Sequence, residues 1–266
     1  MTAKKKIAVS VIGGGTGSFV VLSGLKKYSN LLDISAIVTM FDSGGSTGKL
    51  RDQLGVLPPG DLRQCLVALS AKDLIWRQLF LYRFESGDLK GHNFGNLFLS
   101  ALEKITDSYQ QVLDYCHILL QCKGSVIPVT FDHSHLIAEY KSGKILRQEA
   151  EIDNYRNTED RIIKLDLDSD VSANPKAIKQ IKISDYIILG PGDIYTSIIP
   201  VLLVKKIRDA VKNTKAKIIF FVNLFTKPGE THSFTAQDYV KVIEKYLQRP
   251  LDYIIINKEP IKKRDC

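Results

Sequence analysis

The sequence predicts a three-layer α/β protein built on a mostly parallel sheet, an expectation that rests on three observations. Short apolar runs at 7–12, 34–40, 186–189, 217–222 and 253–256 are continuous rather than alternating, as in strands buried on both faces. Stretches with apolar residues at helical spacing separate most of them. Several runs break directly into glycine-rich segments, the punctuation of strand-to-helix turns.

The elements follow in order. The first strand passes through Gly13-Gly14-Gly15-Thr16-Gly17 into a helix over 18–28, and the second enters a loop over 42–60. Segments 62–70, 72–84, 94–105 and 108–121 carry helical spacing and make a helical insertion over 60–122. Over 126–152 the period becomes two, and Lys141-Ser142-Gly143-Lys144 is the turn between strands at 136–140 and 145–149. A small antiparallel β hairpin or meander, inserted over 125–152, is therefore expected. Asn174-Pro175 opens a helix over 176–181, and helices at 194–212 and 236–247 alternate with the last three strands. A single domain over 1–266 is expected, with no internal repeat or low-complexity linker. The chain stops soon after its last strand, where a doubly wound fold would usually add a helix.

Composition excludes several classes. With 44% hydrophobic and 25% charged residues the chain can bury a substantial core. No apolar stretch reaches the roughly 18 residues of a membrane span, and no signal-peptide core follows Lys4-Lys5-Lys6, so the cytoplasm is expected, without membrane insertion. Cys65, Cys116, Cys122 and Cys266 form neither a C-x-x-C pair nor a zinc-ligand spacing. The net charge of +8 suits an anionic ligand. Apart from Lys4 to Lys6 and Lys262-Lys263-Arg264 the basic residues are scattered, and no basic element with interleaved aromatics supports nucleic-acid binding.

Four strands run into unusual loops. These are Gly13 to Gly17, Asp42-Ser43-Gly44-Gly45-Ser46-Thr47-Gly48, Gly190-Pro191-Gly192-Asp193, and Asn223 through Thr231. In a parallel sheet such carboxyl ends share one edge, where ligands of open α/β folds bind. Glycines let the backbone approach a ligand, and a helix N-terminus favours phosphate, so the first loop is a phosphate cradle candidate. The third small apolar position of a dinucleotide fingerprint is missing, since Ser18 stands there, and the loop from Ser43 to Gly48 argues against a nicotinamide cofactor despite Asp42. Asp42 suits a ligand hydroxyl or a Mg²⁺ ion. Asp61 stands at a helix start, with Arg63 one turn on as a candidate phosphate ligand. Gly91-His92-Asn93-Phe94-Gly95-Asn96 precedes another helix; Asn93 and Asn96 offer hydrogen bonds and His92 an acid or a donor. Thr196, just after Gly192, either contacts a ligand or caps its helix. His133 and His135 are expected on one face of a strand, exposed.

Taken together, these residues resemble the YvcK/CofD superfamily, and within it the YvcK type, also called the gluconeogenesis factor. The matching stretches are 13–17, 42–51, 58–70, 82–84, 91–102, 124–128, 189–203 and 223–231, which cover almost the whole chain in the family order. The resemblance implies a Rossmann-like fold and a nucleotide-sugar ligand such as UDP-N-acetylglucosamine, with a regulatory role in carbon metabolism, cell shape and envelope synthesis. It implies for the CofD branch a Mg²⁺-dependent transferase that moves 2-phospho-L-lactate from a guanylyl diphosphate donor to the deazaflavin Fo. The family usually has two acids where this chain has Asp42-Ser43, and commonly a serine at Asp193. A cation held by Asp42 and Asp193 is the remaining option, and catalysis is left open. Members continue beyond the position of Asn257, and the further part is expected to add to the sheet edge. Homo-oligomerisation is left open as well.

Overall fold

The computed structural model describes residues 5–71 and 74–259. Six parallel strands form the central sheet: β1 (Ile7–Gly13), β2 (Leu32–Val38), β3 (Ser125–Pro128), β7 (Tyr186–Leu189), β8 (Lys217–Phe221) and β9 (Tyr253–Ile255), in the order β3-β2-β1-β7-β8-β9. The first two strands bury five consecutive residues each, as parallel strands between helical layers must. The chain winds outward from β1 to β3 and then returns to place β7 on the other side of β1, with Val9 opposite both Ile34 and Tyr186. That reversal opens a crevice between the carboxyl ends of β1 and β7. Ile12, Leu22, Ile37, Leu62, Leu66 and Phe220 pack fully buried around the sheet.

The helical layers are α1 (Gly15–Leu25), α2 (Gly45–Leu54), α3 (Gly60–Leu69), α4 (Ile75–Leu81), α5 (Phe94–Ile105) and α6 (Tyr109–Leu119), then α8 (Pro175–Ile183), α9 (Ile199–Leu203), α10 (Lys205–Lys212) and α11 (Ala236–Leu247). Helix α2 occupies what the sequence presented as a loop over 42–60. It buries Ser46, Thr47, Gly48 and Arg51 beside a single leucine, so it carries no apolar stripe to betray it. The helix expected over 194–212 is three pieces. Pro200 has no N–H to offer the carbonyl one turn back, and the chain widens into a π turn over Ile194–Ile198 before α9 and breaks again at Val204.

The inserted antiparallel unit is larger than a hairpin. β4 (Leu136–Tyr140) pairs with β5 (Ile145–Arg147) on one side and with β6 (Ile162–Leu167), which the sequence did not suggest, on the other. Its start also moves, because Ser125–Pro128 belongs to the parallel sheet. After β5 the chain turns at Gln148, whose φ is +72°, and residues expected to extend the strand form α7 (Glu149–Asn154). His133 and His135 precede β4 in a loop rather than sharing a strand face. Cys65, Cys116 and Cys122 are free; Cys266, Lys4 and Lys262 to Arg264 lie outside the described residues, as do residues 72 and 73 of the expected 72–84 helix. Among the described residues no helix is long and apolar enough to cross a membrane.

Asn174 links this unit back to the sheet. Its side chain caps α8 by accepting from the Lys176 N–H at 3.0 Å and donates to the Pro128 carbonyl at 2.9 Å, while it is 3% exposed. Asn174→Ala removes the cap of α8 and takes the Asn174 donor from the buried Pro128 carbonyl, and is expected to lower stability by about 1–3 kcal/mol. Urea unfolding, with the slope unchanged, measures this.

Candidate functional site

Three of the four strand-end loops line one cavity of about 370 Å³ at the β1/β7 crevice. The main chain of Gly14 to Gly17 forms one wall, Asp42 and Asp61 a second, and Gly192, Asp193, Thr196 and Ser197 a third. Glu149 and Asp153, one helical turn apart on α7, close it from the antiparallel unit. The fourth loop stands behind: Asn223 Oδ1 accepts from the Gly192 N–H at 3.3 Å, and Lys227 reaches Asp193 at 2.8 Å.

The loops meet this closely only through glycine. A Cβ on Gly17 would collide with the Pro191 carbonyl, and one on Gly14 would fall 2.8 Å from Thr39 Cγ2 and into the Asp61 carboxylate. Gly14 stands just before α1, so the first N–H groups of that helix face the cavity without intrahelical partners. Asp61 Oδ1 takes one of them, from Gly15, at 2.8 Å. Asp61 therefore caps α1, across the crevice, rather than α3, in whose first turn it sits.

Carboxylates dominate the floor. Asp42 Oδ1 accepts from the Gly44 N–H at 2.8 Å, and burial raises its pKa above the ordinary carboxylate range. Burial, reinforced by the charge of Asp42, brings Asp61 up to about 7 and Glu149 up to about 8. Glu149 Oε2 accepts from the Ser43 N–H at 3.3 Å, and Ser43 Oγ accepts from the Ala150 N–H at 2.9 Å. Ser43, where a second acid was expected, thus docks α7 and brings Glu149 to Asp42.

At the cavity's rim Lys227 Nζ pairs with Asp153, with Asp193 and, at 2.9 Å, with Glu230. Oxygens of these three acids lie within 4.8 Å of one another, a spacing a metal ion could use, but the Lys227 ammonium group already pairs with all three and offsets part of their charge. Burial lowers the lysine's pKa, and the acids, Glu230 foremost, more than reverse that; Glu230 itself is raised by burial to about 7.

The other residues singled out in the sequence hold the loops in place. Arg63 is buried and donates to Asn96 Oδ1 at 2.8 Å and to the Phe80 carbonyl at 3.1 Å; burial pulls its pKa down to about 10. Gln64, its neighbour, is the one that lines the cavity. Asn93 caps α5 by accepting from the Asn96 N–H, His92 Nδ1 lies 3.1 Å from Ser46 Oγ, and Thr231 Oγ1 accepts from the Lys227 N–H at 2.9 Å. Gly44 and Gly45 lead into α2, and Gly190 ends β7. Sequence reasoning missed Gln64, Glu149, Asp153, Ser197, Lys227 and Glu230. Glu149 and Asp153 had a signal, their i, i+4 spacing, which the strand reading of that segment concealed.

The family model described as 2-phospho-L-lactate transferase CofD matches residues 9–266. The chain is 42% identical over 259 residues to a putative gluconeogenesis factor of Aquifex aeolicus, covering 96% of this chain and 79% of the relative. It is 40% identical to the gluconeogenesis factor of Bacillus subtilis, over 98% of this chain and 81% of the relative, and spans only 55% of its Nostoc relative. A crystal structure of a UPF0052 family member from Bacillus halodurans superposes with a TM-score of 0.92 at 37% identity, covering 98% of this chain and 83% of that one. Agreement in fold, in sequence and over nearly all of its length places this chain in the CofD family, among the YvcK-type gluconeogenesis factors.

Proposed function

We propose that the chain is a cytoplasmic regulator that holds a nucleotide-diphosphate sugar, of the UDP-N-acetylglucosamine kind, in the strand-end cavity, and so ties central carbon metabolism to cell shape and envelope synthesis. The observation that carries this reading is the stretch Gly14 to Gly17, which lines the cavity at the N-terminus of α1 in the switch-point crevice. Its N–H groups and partial positive charge suit a diphosphate. Thr16, Gln64, Thr196 and Ser197 offer hydroxyl and amide groups to a sugar or base.

The acids demand a counter-charge before an anion can enter. Asp42 and Glu149, adjacent and recessed, fit a Mg²⁺ ion better than Asp42 with Asp193, since Asp193 is engaged by Lys227. When bound, the ion would neutralise these carboxylates and the diphosphate together. The chain's own part is to present the glycine amides on one side and the carboxylates on the other. Calorimetric titration is expected to show UDP-N-acetylglucosamine binding that strengthens with Mg²⁺; no heat and no thermal shift at roughly millimolar ligand would sink the proposal.

The same acids support a second reading, a transferase of 2-phospho-L-lactate to Fo, since a cation at Asp42 would also stabilise charge on a transferring phosphoryl group. Incubation with Fo, the guanylyl donor and Mg²⁺ separates the two. Absence of phospholactyl product is the result expected of a regulator, and its formation decides for the transferase.

The carboxylates also set a pH dependence. Asp61 and Glu149 bind protons more tightly folded than unfolded, with pKa values raised from 3.8 to about 7 and from 4.5 to about 8. Their favourable contribution is therefore complete below the ordinary carboxylate pKa and is lost as pH rises through these values. Ligand-free protein should lose on the order of a few kcal/mol between about pH 5 and pH 8. Urea midpoints across this range measure the loss, which Asp61→Asn should reduce.

A further inference from the structure

We propose a second ligand site, for a compact organic phosphate carried on a ring, in a cavity of about 420 Å³ between the start of β6, the π turn and the N-terminal part of α11. It shares no lining residue with the strand-end cavity, and the proposal does not rest on the nucleotide-sugar reading. Tyr195 points to a ligand. The residue is only 3% exposed and lines this cavity, yet its hydroxyl has no hydrogen-bond partner among the described residues. The ring is buried but the hydroxyl oxygen is not sealed off, so it opens on the cavity, where a ligand can take the hydrogen bond that water otherwise fills.

The charge around it selects an anion. Arg161 and Lys241 line the same cavity and make no ion pair among the described residues, and His232 adds a third nitrogen donor. The single acid there, Asp238, has one oxygen committed to the Thr235 N–H at 2.9 Å and the Thr235 hydroxyl at 2.7 Å, in the capping box of α11. Its charge offsets only part of the positive groups. A guanidinium can grip two oxygens of a phosphate at once, with the Tyr195 hydroxyl donating to a third. Phe234, fixed edge-on against Tyr239 at 5.4 Å between ring centres, gives the cavity a flat apolar wall for the body that carries the phosphate.

The site lies one residue from the first. Tyr195 faces this cavity while Thr196 and Ser197, in the same π turn, face the strand-end cavity. A ligand held by Tyr195 would therefore bear on a segment that lines both.

Calorimetric titration of the full chain with phenyl phosphate tests the site, with inorganic phosphate as the ringless comparison. The expected result is saturable binding, tighter for phenyl phosphate, weakened about tenfold or more by Arg161→Ala and about three- to tenfold by Tyr195→Phe. Tyr195→Phe removes no protein hydrogen bond and should leave thermal stability unchanged or slightly raised, so weaker binding by that variant cannot be laid to unfolding. No saturable binding below about 10 mM, or equal binding by the parent and both variants, would overturn the proposal.

Discussion

The loops after β1 and β7 can touch only because Gly17 has no side chain. The Pro191 carbonyl occupies the space a Cβ would take, and the shape of the whole strand-end cavity follows from that approach. With any larger residue the two loops would part, the π turn that follows Gly192 would shift, and Thr196 and Ser197 would no longer share a wall with Gly14 to Gly17. Close packing tolerates little such displacement without a cost in stability. The glycines of this region are thus first a condition of assembly and only then an invitation to phosphate.

A protein with a net charge of +8 keeps its principal cavity acidic, and the contrast is informative. The nearest guanidinium groups act on the floor only through their charge, and their hydrogen bonds go elsewhere. Arg63 is tied to Asn96 and Phe80, and Arg51 donates to the Ser134 carbonyl at 2.9 Å. The carboxylates are left to raised pKa values, main-chain N–H groups and whatever cation or proton arrives with a ligand. Lys227 is the exception, and it acts on the rim, where it draws α7, the β7 loop and its own loop together.

Much of this was legible in the sequence, for identifiable reasons. Strands buried on both faces leave continuous apolar runs, and β7 and the helices α5 and α11 fall where spacing put them. The glycine loops were legible because main-chain crowding admits few other residues. What escaped notice depended on contacts between distant segments. Helix α2 buries hydroxyls and an arginine instead of an apolar stripe, and α7 begins where the hairpin pattern still looked like strand. Arg63 looked like a phosphate ligand because nothing nearby in sequence announces that Asn96 and Phe80 will consume its donors.

The return of the chain to β1 has a consequence for how the cavity comes into being. Asp185 accepts a hydrogen bond from the Ala8 N–H, 177 residues earlier, and β7 must settle at that register before Gly192 can lie beside Gly14. Contacts of such sequence separation form slowly, because a long loop must be closed before they repay its entropy. A chain emerging from synthesis can complete β1, β2 and the helices between them long before it owns a cavity. The ability to hold a ligand therefore reports on the completeness of folding, since the site exists only once the far half of the protein has come home.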